Sequence, residues 1–289
     1  MRFTRQLYEK EEKYLLPYLE SIEGLYCHLV RLPTDDIARF IPDADLEAAL
    51  ARHDRQTVGI QVVSDIFNHL KFFWYTNTFK VIKLIEALIS SYNQQNYLAW
   101  TLVARSTLEY SAVFYYFHKK LDELSPCNPS FTISQLQDIV GLLKRYSHGT
   151  RFNWTSLLTG TLDELLKNHK PSAEFPEAVN VLTALSHLRK SHESFREVEV
   201  AYALFSDFAH PNMGSHTLVI DLPGAESDLN ECRLVLNPNS KRGEFIMVAT
   251  LSTVDMNLRN IVDLMGKTGK IVGHWYELIE NGGAIEIDW

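Results

Sequence analysis

The chain has 289 residues, 46% of them hydrophobic, with 28 basic and 36 acidic side chains and a formal net charge of -8. That length and apolar content are enough for a sizeable globular core. The negative balance excludes a general attraction to nucleic acid or an anionic membrane and leaves only a local basic patch to meet phosphates.

From the N-terminus, residues 4–24 read as a charged amphipathic helix, with Leu7, Tyr14, Leu15, Tyr18, Leu19 and Ile22 at helical spacing and Pro17 a point of kinking. The scattered charges do not fit a secretion signal, and no stretch of about 18 apolar residues occurs. A cytoplasmic protein with no membrane contact is therefore expected. Pro33 and Pro42 punctuate residues 25–43, and Asp43 can cap a short helix over 44–52. From Thr57 to Asn93 there is no proline and one glycine, Gly59, so one long helix or two joined helices are predicted. The run Phe72-Phe73-Trp74-Tyr75 is apolar all round and is expected under neighbouring helices or at a subunit contact. His69 reads as a core histidine, because no companion ligand stands at metal-binding spacing.

A second long helix is predicted over about 96–120, with Leu98, Leu102, Leu108, Ala112, Tyr115 and Tyr116 giving broad apolar coverage. Residues 121–130 read as a loop, and Thr132 or Ser134 can start a helix to about Tyr146, with Gly149 as its C-cap. Helices over 155–168, 176–192 and 194–210 follow, the last stopped by Pro211. After Asn212 the segments SHTLVIDL, ECRLVLNP and GEFIMV suit strands, separated by turn-rich PGAESD and NPNSKRG. A final helix runs from about Ala249 to Leu264 and on toward Ile279, past weak points at Gly266 and Gly269. The tail GGAIEIDW reads either as disordered or as a short strand. The expected fold is a mainly α helical bundle with a small peripheral β-element near residues 215–248. It forms one domain over 1–289, with a motif-bearing core at 57–212 and a β-rich excursion at 213–248.

No GxGxxG after a strand, GxxxxGK[ST], HExxH, paired CxxC, EF-hand loop or GxSxG is present. Three widely spaced cysteines, Cys27, Cys127 and Cys232, give neither a disulfide framework nor a cysteine-rich metal site. No cofactor and no metal are expected.

One polar constellation stands out. Arg105 and Glu109 lie one turn apart inside an otherwise apolar helix. Tyr202, Ser206 and His210 recur every fourth residue on a later helix, with Asn212 just beyond it. A polar stripe in a helical core needs partners, and Arg105 with Glu109 can supply them. Arg105 can brace a carboxylate or a phosphate with its planar fork. His210, at a helix C-terminus where positive charge is favoured, can act as general acid or base. The set Arg105, Glu109, Ser206 and His210 thus fits phosphodiester chemistry, with Tyr202 and Asn212 on the substrate. The same residues can also do no more than tie two helices together with no ligand.

The motifs Arg105-Ser-Thr-Leu-Glu109 and Tyr202-Ala-Leu-Phe-Ser206-Asp-Phe-Ala-His210-Pro211 resemble the R-x3-E and Y-x3-S-x3-H-P motifs of a group of bacterial all-helical proteins of undefined activity. The likeness covers about residues 57–212 and extends distantly to HEPN-type domains. It implies a helical bundle that dimerises and either cleaves RNA, as in toxin–antitoxin and phage-defence systems, or binds RNA or nucleotide without cleaving it. The chain departs from the HEPN nuclease pattern, which places an arginine a few residues before the histidine on one helix. Arg145 and Arg189 stand too near His148 and His192, and Arg196 too far from His210. Arg105 would have to serve from another helix.

Two further clusters mix cations with other groups. Lys144, Arg145, His148 and Arg151 stand among Tyr146, Phe152 and Trp154, so Arg145 and Arg151 can touch single-stranded RNA, or the segment is a helix end with a packed aromatic loop. His187, Arg189, Lys190 and His192 read as a solvated face. The functional expectation is a HEPN-like RNA-binding or metal-independent RNA-cleaving protein of stress or defence. Its partners would be RNA or nucleotide, a cognate protein and a second copy of the chain. The competing expectation is a non-catalytic helical interaction or scaffold protein, and a small-molecule enzyme using His210 as base is a third.

Overall fold

In the computed structural model, the proline-free stretch after Asp54 folds as one unbroken helix. The described residues are 1–4, 12–32, 39, 41–52, 55–124, 130–149, 178–211, 215–216, 218, 241–280 and 286–288. Their elements are α1 (Glu12–Leu29), α2 (Asp43–Ala51), α3 (Arg55–Asn93), α4 (Tyr97–Leu124), β1 (Ser130–Thr132), α5 (Ile133–His148), α6 (Val181–Arg189), α7 (Val198–Ala209), α8 (Lys241–Glu280) and β2 (Glu286–Asp288). The protein is mainly α-helical, and among these residues no helix is long and apolar enough to cross a membrane.

The chain divides into two compact units, each using segments of α3, α4 and α8. In the first unit (Met1–Pro33, Thr78–Tyr115, Leu182–Asp263), α3 and α4 meet at a tight turn. Gln95 there takes a left-handed backbone (φ 54°), the conformation that ends helices. Asn96 then accepts the Ala99 N–H at 3.0 Å and starts α4. Trp100 donates to Thr250 Oγ1 at 2.9 Å, and Asn260 donates to Ser111 Oγ at 2.8 Å. These contacts advance in the same direction along both helices, so α4 and α8 run parallel. The N-terminus is pinned to α1 and α3: Phe3 N–H donates to Glu23 at 2.7 Å, and the Phe3 ring meets Tyr92 edge-on at 4.8 Å.

In the second unit (Thr34–Asn77, Tyr116–Val181, Leu264–Trp289), Phe73 packs on Phe117 at 4.0 Å and Phe131 on Trp275 at 5.1 Å. The Trp74 indole N–H reaches the Met265 carbonyl at 3.1 Å. Of the aromatic run, Phe73 is buried, while Phe72, Trp74 and Tyr75 are half-buried. Thr132 caps α5 with a full capping box, closed by Gln135. Thr132→Ala should therefore cost about 1 kcal/mol, read as a lower denaturant midpoint with unchanged slope.

Asp65 holds the Ile41 N–H at 3.2 Å and lies 3.5 Å from His69 Nε2. Burial pushes the Asp65 carboxyl up. The hydrogen bonds from His69 and the Ile41 N–H, with the charges of His69 and Lys144, outweigh it and hold the group below its ordinary value. Its stabilising contribution is thus complete above the ordinary aspartate range and lost as pH falls through the lowered value. The stability gap between wild type and Asp65→Asn should be constant at neutral pH and shrink in acid, measured by urea melts across pH. A gap that widened in acid would reverse that sign.

Three sequence expectations change. GEFIMV is not a strand: it opens α8, which runs unbroken through Gly266 and Gly269. Met247, Leu251, Val254, Leu258 and Ile261 are buried at alternating four- and three-residue steps, so the longer window has a helical period that six residues alone conceal. Of the expected β-element near 215–248, residues 215–216 are also helical, and 219–240 lie outside the described residues. The described strands are instead β1 and β2, paired in parallel with Phe131 opposite Ile287. The helix expected over 194–210 divides into a 3-10 turn (Glu193–Phe195) and α7. The helix expected over 155–168 lies outside the described residues.

Candidate functional site

The first unit brings one part of the polar constellation together. Arg105 Nε donates to Glu109 Oε1 at 2.9 Å, the reach expected for neighbours one turn apart. Arg105 Nη2 donates to the Tyr202 hydroxyl at 3.0 Å, and the guanidinium carbon lies 5.1 Å from the Tyr202 ring centre. Tyr202 thus fixes the arginine through both its hydroxyl and its ring. Burial works against the charge on Arg105. The hydrogen bond to Tyr202 and the nearby Glu109 carboxylate outweigh it and hold the group firmly protonated.

A guanidinium carries five N–H donors. Two are engaged by Glu109 and Tyr202, and the others meet no protein acceptor among the described residues. The Arg105 and Glu109 side chains keep 25% and 29% of their exposure, so the fork is anchored yet reachable from solvent. That combination can hold an anion: the cation is oriented in advance and still has donors to offer.

The α7 stripe does not stay on one side of its helix. Four-residue steps advance about 40° beyond a full turn each time. Tyr202 and Ser206 are accordingly half-buried and His210 is exposed. Ser206 spends its hydroxyl hydrogen on the Tyr202 carbonyl at 2.7 Å, a local helix contact. His210 closes α7, its backbone N–H donating to the Ser206 carbonyl at 3.2 Å. Among the described residues its side chain makes no hydrogen bond to Arg105 or Glu109. Helix rise separates Tyr202 from His210 by about 12 Å along the axis, so Arg105 and His210 present themselves at different points of the surface.

Arg145 is exposed on α5, in the second unit. Its neighbour Tyr146 packs on Phe117 at 4.9 Å, so that ring serves the core. Arg151 and Asn212, with Phe152 and Trp154, lie outside the described residues. In the other basic cluster Arg189, Lys190 and His192 are exposed, and Arg189 pairs with Glu199 at 2.7 Å.

Two side chains beside the site take a different place from the one their apolarity suggested. Leu98 and Leu102 are 43% and 44% exposed. They share a 4-3-4 stripe with Arg105 and Glu109. The charges on that stripe were the available sign that it faces solvent. No family model matches the chain, and neither do any curated protein or solved structure.

Proposed function

We propose that the α4–α7 face of the first unit binds RNA through its phosphates, in a cytoplasmic protein of the stress or defence kind. Arg105 is the anchor. The supporting observation is a single one: a guanidinium clamped by Glu109 and Tyr202 that keeps solvent exposure and, among the described residues, uncommitted donors. A free lysine or arginine would lose side-chain entropy on gripping a phosphate, and a clamped one has already lost it. His210, exposed two turns along α7, meets the same strand at a different point. The likeness to HEPN-type domains points in the same direction.

Binding is favoured over cleavage because His210 has no orienting partner among the described residues and stands apart from Arg105. Cleavage without a metal would have the His210 imidazole take the proton of a ribose 2′-hydroxyl. The 2′-oxygen would then attack phosphorus while the 5′-oxygen leaves with a proton, giving a 2′,3′-cyclic phosphate and a 5′-hydroxyl. End-labelled RNA incubated with wild type and His210→Ala in excess chelator separates the two cases. The expected result is binding by both proteins and no cyclic-phosphate product from either. Chelator-resistant cleavage lost in His210→Ala would make the protein a nuclease.

A second reading rests on Leu98 and Leu102. Exposed leucines beside an Arg–Glu pair suit contact with a second copy or a cognate protein, because Arg105 and Glu109 of two copies are mutually complementary across a two-fold axis. Light scattering of wild type and Leu102→Ser would detect it: a dimer that dissociates on substitution favours the interaction role.

A further inference from the structure

Helix α7 is apolar on more sides than its own core uses. Val198, Phe205 and Phe208 are buried. On the far side Val200 and Leu204 keep 70% and 42% of their exposure, and Ala203 between them is exposed too. A helix that is apolar all round is one that neighbours enclose, and clustered exposed apolar side chains mark contact surfaces. Arg196 and Asp207 close this face at its two ends. Steps of four, three and four residues lead from Arg196 through Val200 and Ala203 to Asp207, so the four line one stripe. Arg196 precedes the N-cap and already has helical backbone angles (φ -55°, ψ -36°). Both charged side chains are exposed, and among the described residues neither makes a hydrogen bond or an ion pair. Glu199 is held by Arg189 at 2.7 Å, and Glu197 stands about 100° round the helix from Arg196.

The two end charges oppose the helix that carries them. Helices favour anions at the N-terminus and cations at the C-terminus, yet Arg196 stands at the N-terminal end of α7 and Asp207 in its last turn. An antiparallel copy of the same stripe reverses both relations. Arg196 of each copy then meets Asp207 and the negative helix end of the other, twice about one two-fold axis. Val200 and Leu204 of both copies fill the centre, and the small Ala203 lets the helix axes approach. A stripe with a cation at one end and an anion at the other complements its own reverse. A nucleic acid, anionic throughout, would be repelled by Asp207.

We infer that α7 is a self-docking surface: two copies of the chain pair antiparallel through Val200, Ala203 and Leu204, with Arg196 and Asp207 joined across the axis. Tyr202 lies two residues from both Val200 and Leu204, hence on the opposite side of α7, and the Arg105 clamp stays open. The inference is independent of the RNA reading and uses a different face from that of Leu98 and Leu102. A single helix pair buries less surface than a permanent interface does, so the dimer is reversible and depends on concentration.

The test is sedimentation velocity from micromolar to millimolar concentration on wild type, Arg196→Glu, Asp207→Arg and an equimolar mixture of the two variants. Both positions are exposed and outside the Arg105 clamp. Each substitution also replaces a charge that opposes the helix dipole by one that suits it, so neither variant should melt below wild type. Wild type should dimerise. Each variant alone should self-associate more weakly by roughly tenfold or more, because like charges then face each other twice. In the mixture both facing pairs are again opposite in sign, and dimers of one variant with the other should return to near wild-type affinity. A wild type that stays monomeric throughout, variants that dimerise as wild type does, or a mixture that stays monomeric would each overturn the α7 surface. So would a dimer that Leu102→Ser dissociates and neither α7 variant affects.

Discussion

Trp100→Ala is expected to destabilise the first unit by about 3–5 kcal/mol, the largest effect of any single truncation considered. Trp100 has no exposed surface, and its ring lies 6.1 Å from that of Tyr92. Its removal empties a large volume between α4 and α8 that two long helices, held in register by a second contact from Asn260 to Ser111 at 2.8 Å, cannot close. Part of the effect is polar, and two smaller changes isolate it. Thr250 donates its own hydrogen to the Ile246 carbonyl at 2.8 Å while accepting from Trp100. Trp100→Phe therefore removes one hydrogen bond and strands no buried donor, a loss of about 1 kcal/mol plus the smaller ring. Thr250→Val leaves the indole N–H buried without an acceptor and should cost about 1–3 kcal/mol on that account. Urea melts of the three variants check the order. A Trp100→Ala midpoint near that of wild type would mean that α4 and α8 do not pack through this residue.

The helical body was legible because its signals are long. The stretch from Thr57 to Asn93 offers neither proline nor a glycine cluster, and α3 fills it. Thr132 and Ser134 both offered a start for α5, and the structure puts the cap at Thr132, the hydroxyl three residues ahead of a glutamine. Short signals misled. GEFIMV has the composition of a strand, yet its register belongs to the helical period of residues 247–261. The β1–β2 pair joins Ser130–Thr132 to residues over 150 positions away, and three-residue strands carry no periodicity to find. At the site, the one-turn spacing of Arg105 and Glu109 forecast their contact, and the demand for a partner forecast Tyr202. His210 does not share the stripe of Tyr202 because each four-residue step drifts around the helix and because His210 ends α7 in extended backbone, which leaves it on the surface.

Arg105→Gln should have the second large effect, on RNA rather than on stability. Glutamine can still reach toward Tyr202, so the α4–α7 contact is partly kept while the charge and the planar fork are lost. Burial of Arg105 is incomplete and its pair with Glu109 is half-exposed, so that pair contributes little to folding. A phosphate held by the remaining guanidinium donors would lose a charge-assisted contact, about tenfold in affinity for a bond of this class. The salt dependence carries the more specific signature, since each phosphate neutralised by a cation releases counterion. Removing a cation that touches a phosphate lowers the slope of log affinity against log salt by about one, and removing one that only braces helices leaves it unchanged.

That slope is the deciding measurement: dissociation constants of a labelled single-stranded RNA for wild type and Arg105→Gln over a range of salt. The expected result is a weaker complex with a salt slope smaller by about one, at an unchanged melting temperature. Equal affinities and equal slopes would contradict a phosphate at Arg105 and leave the Arg105–Glu109–Tyr202 cluster as a brace between two helices.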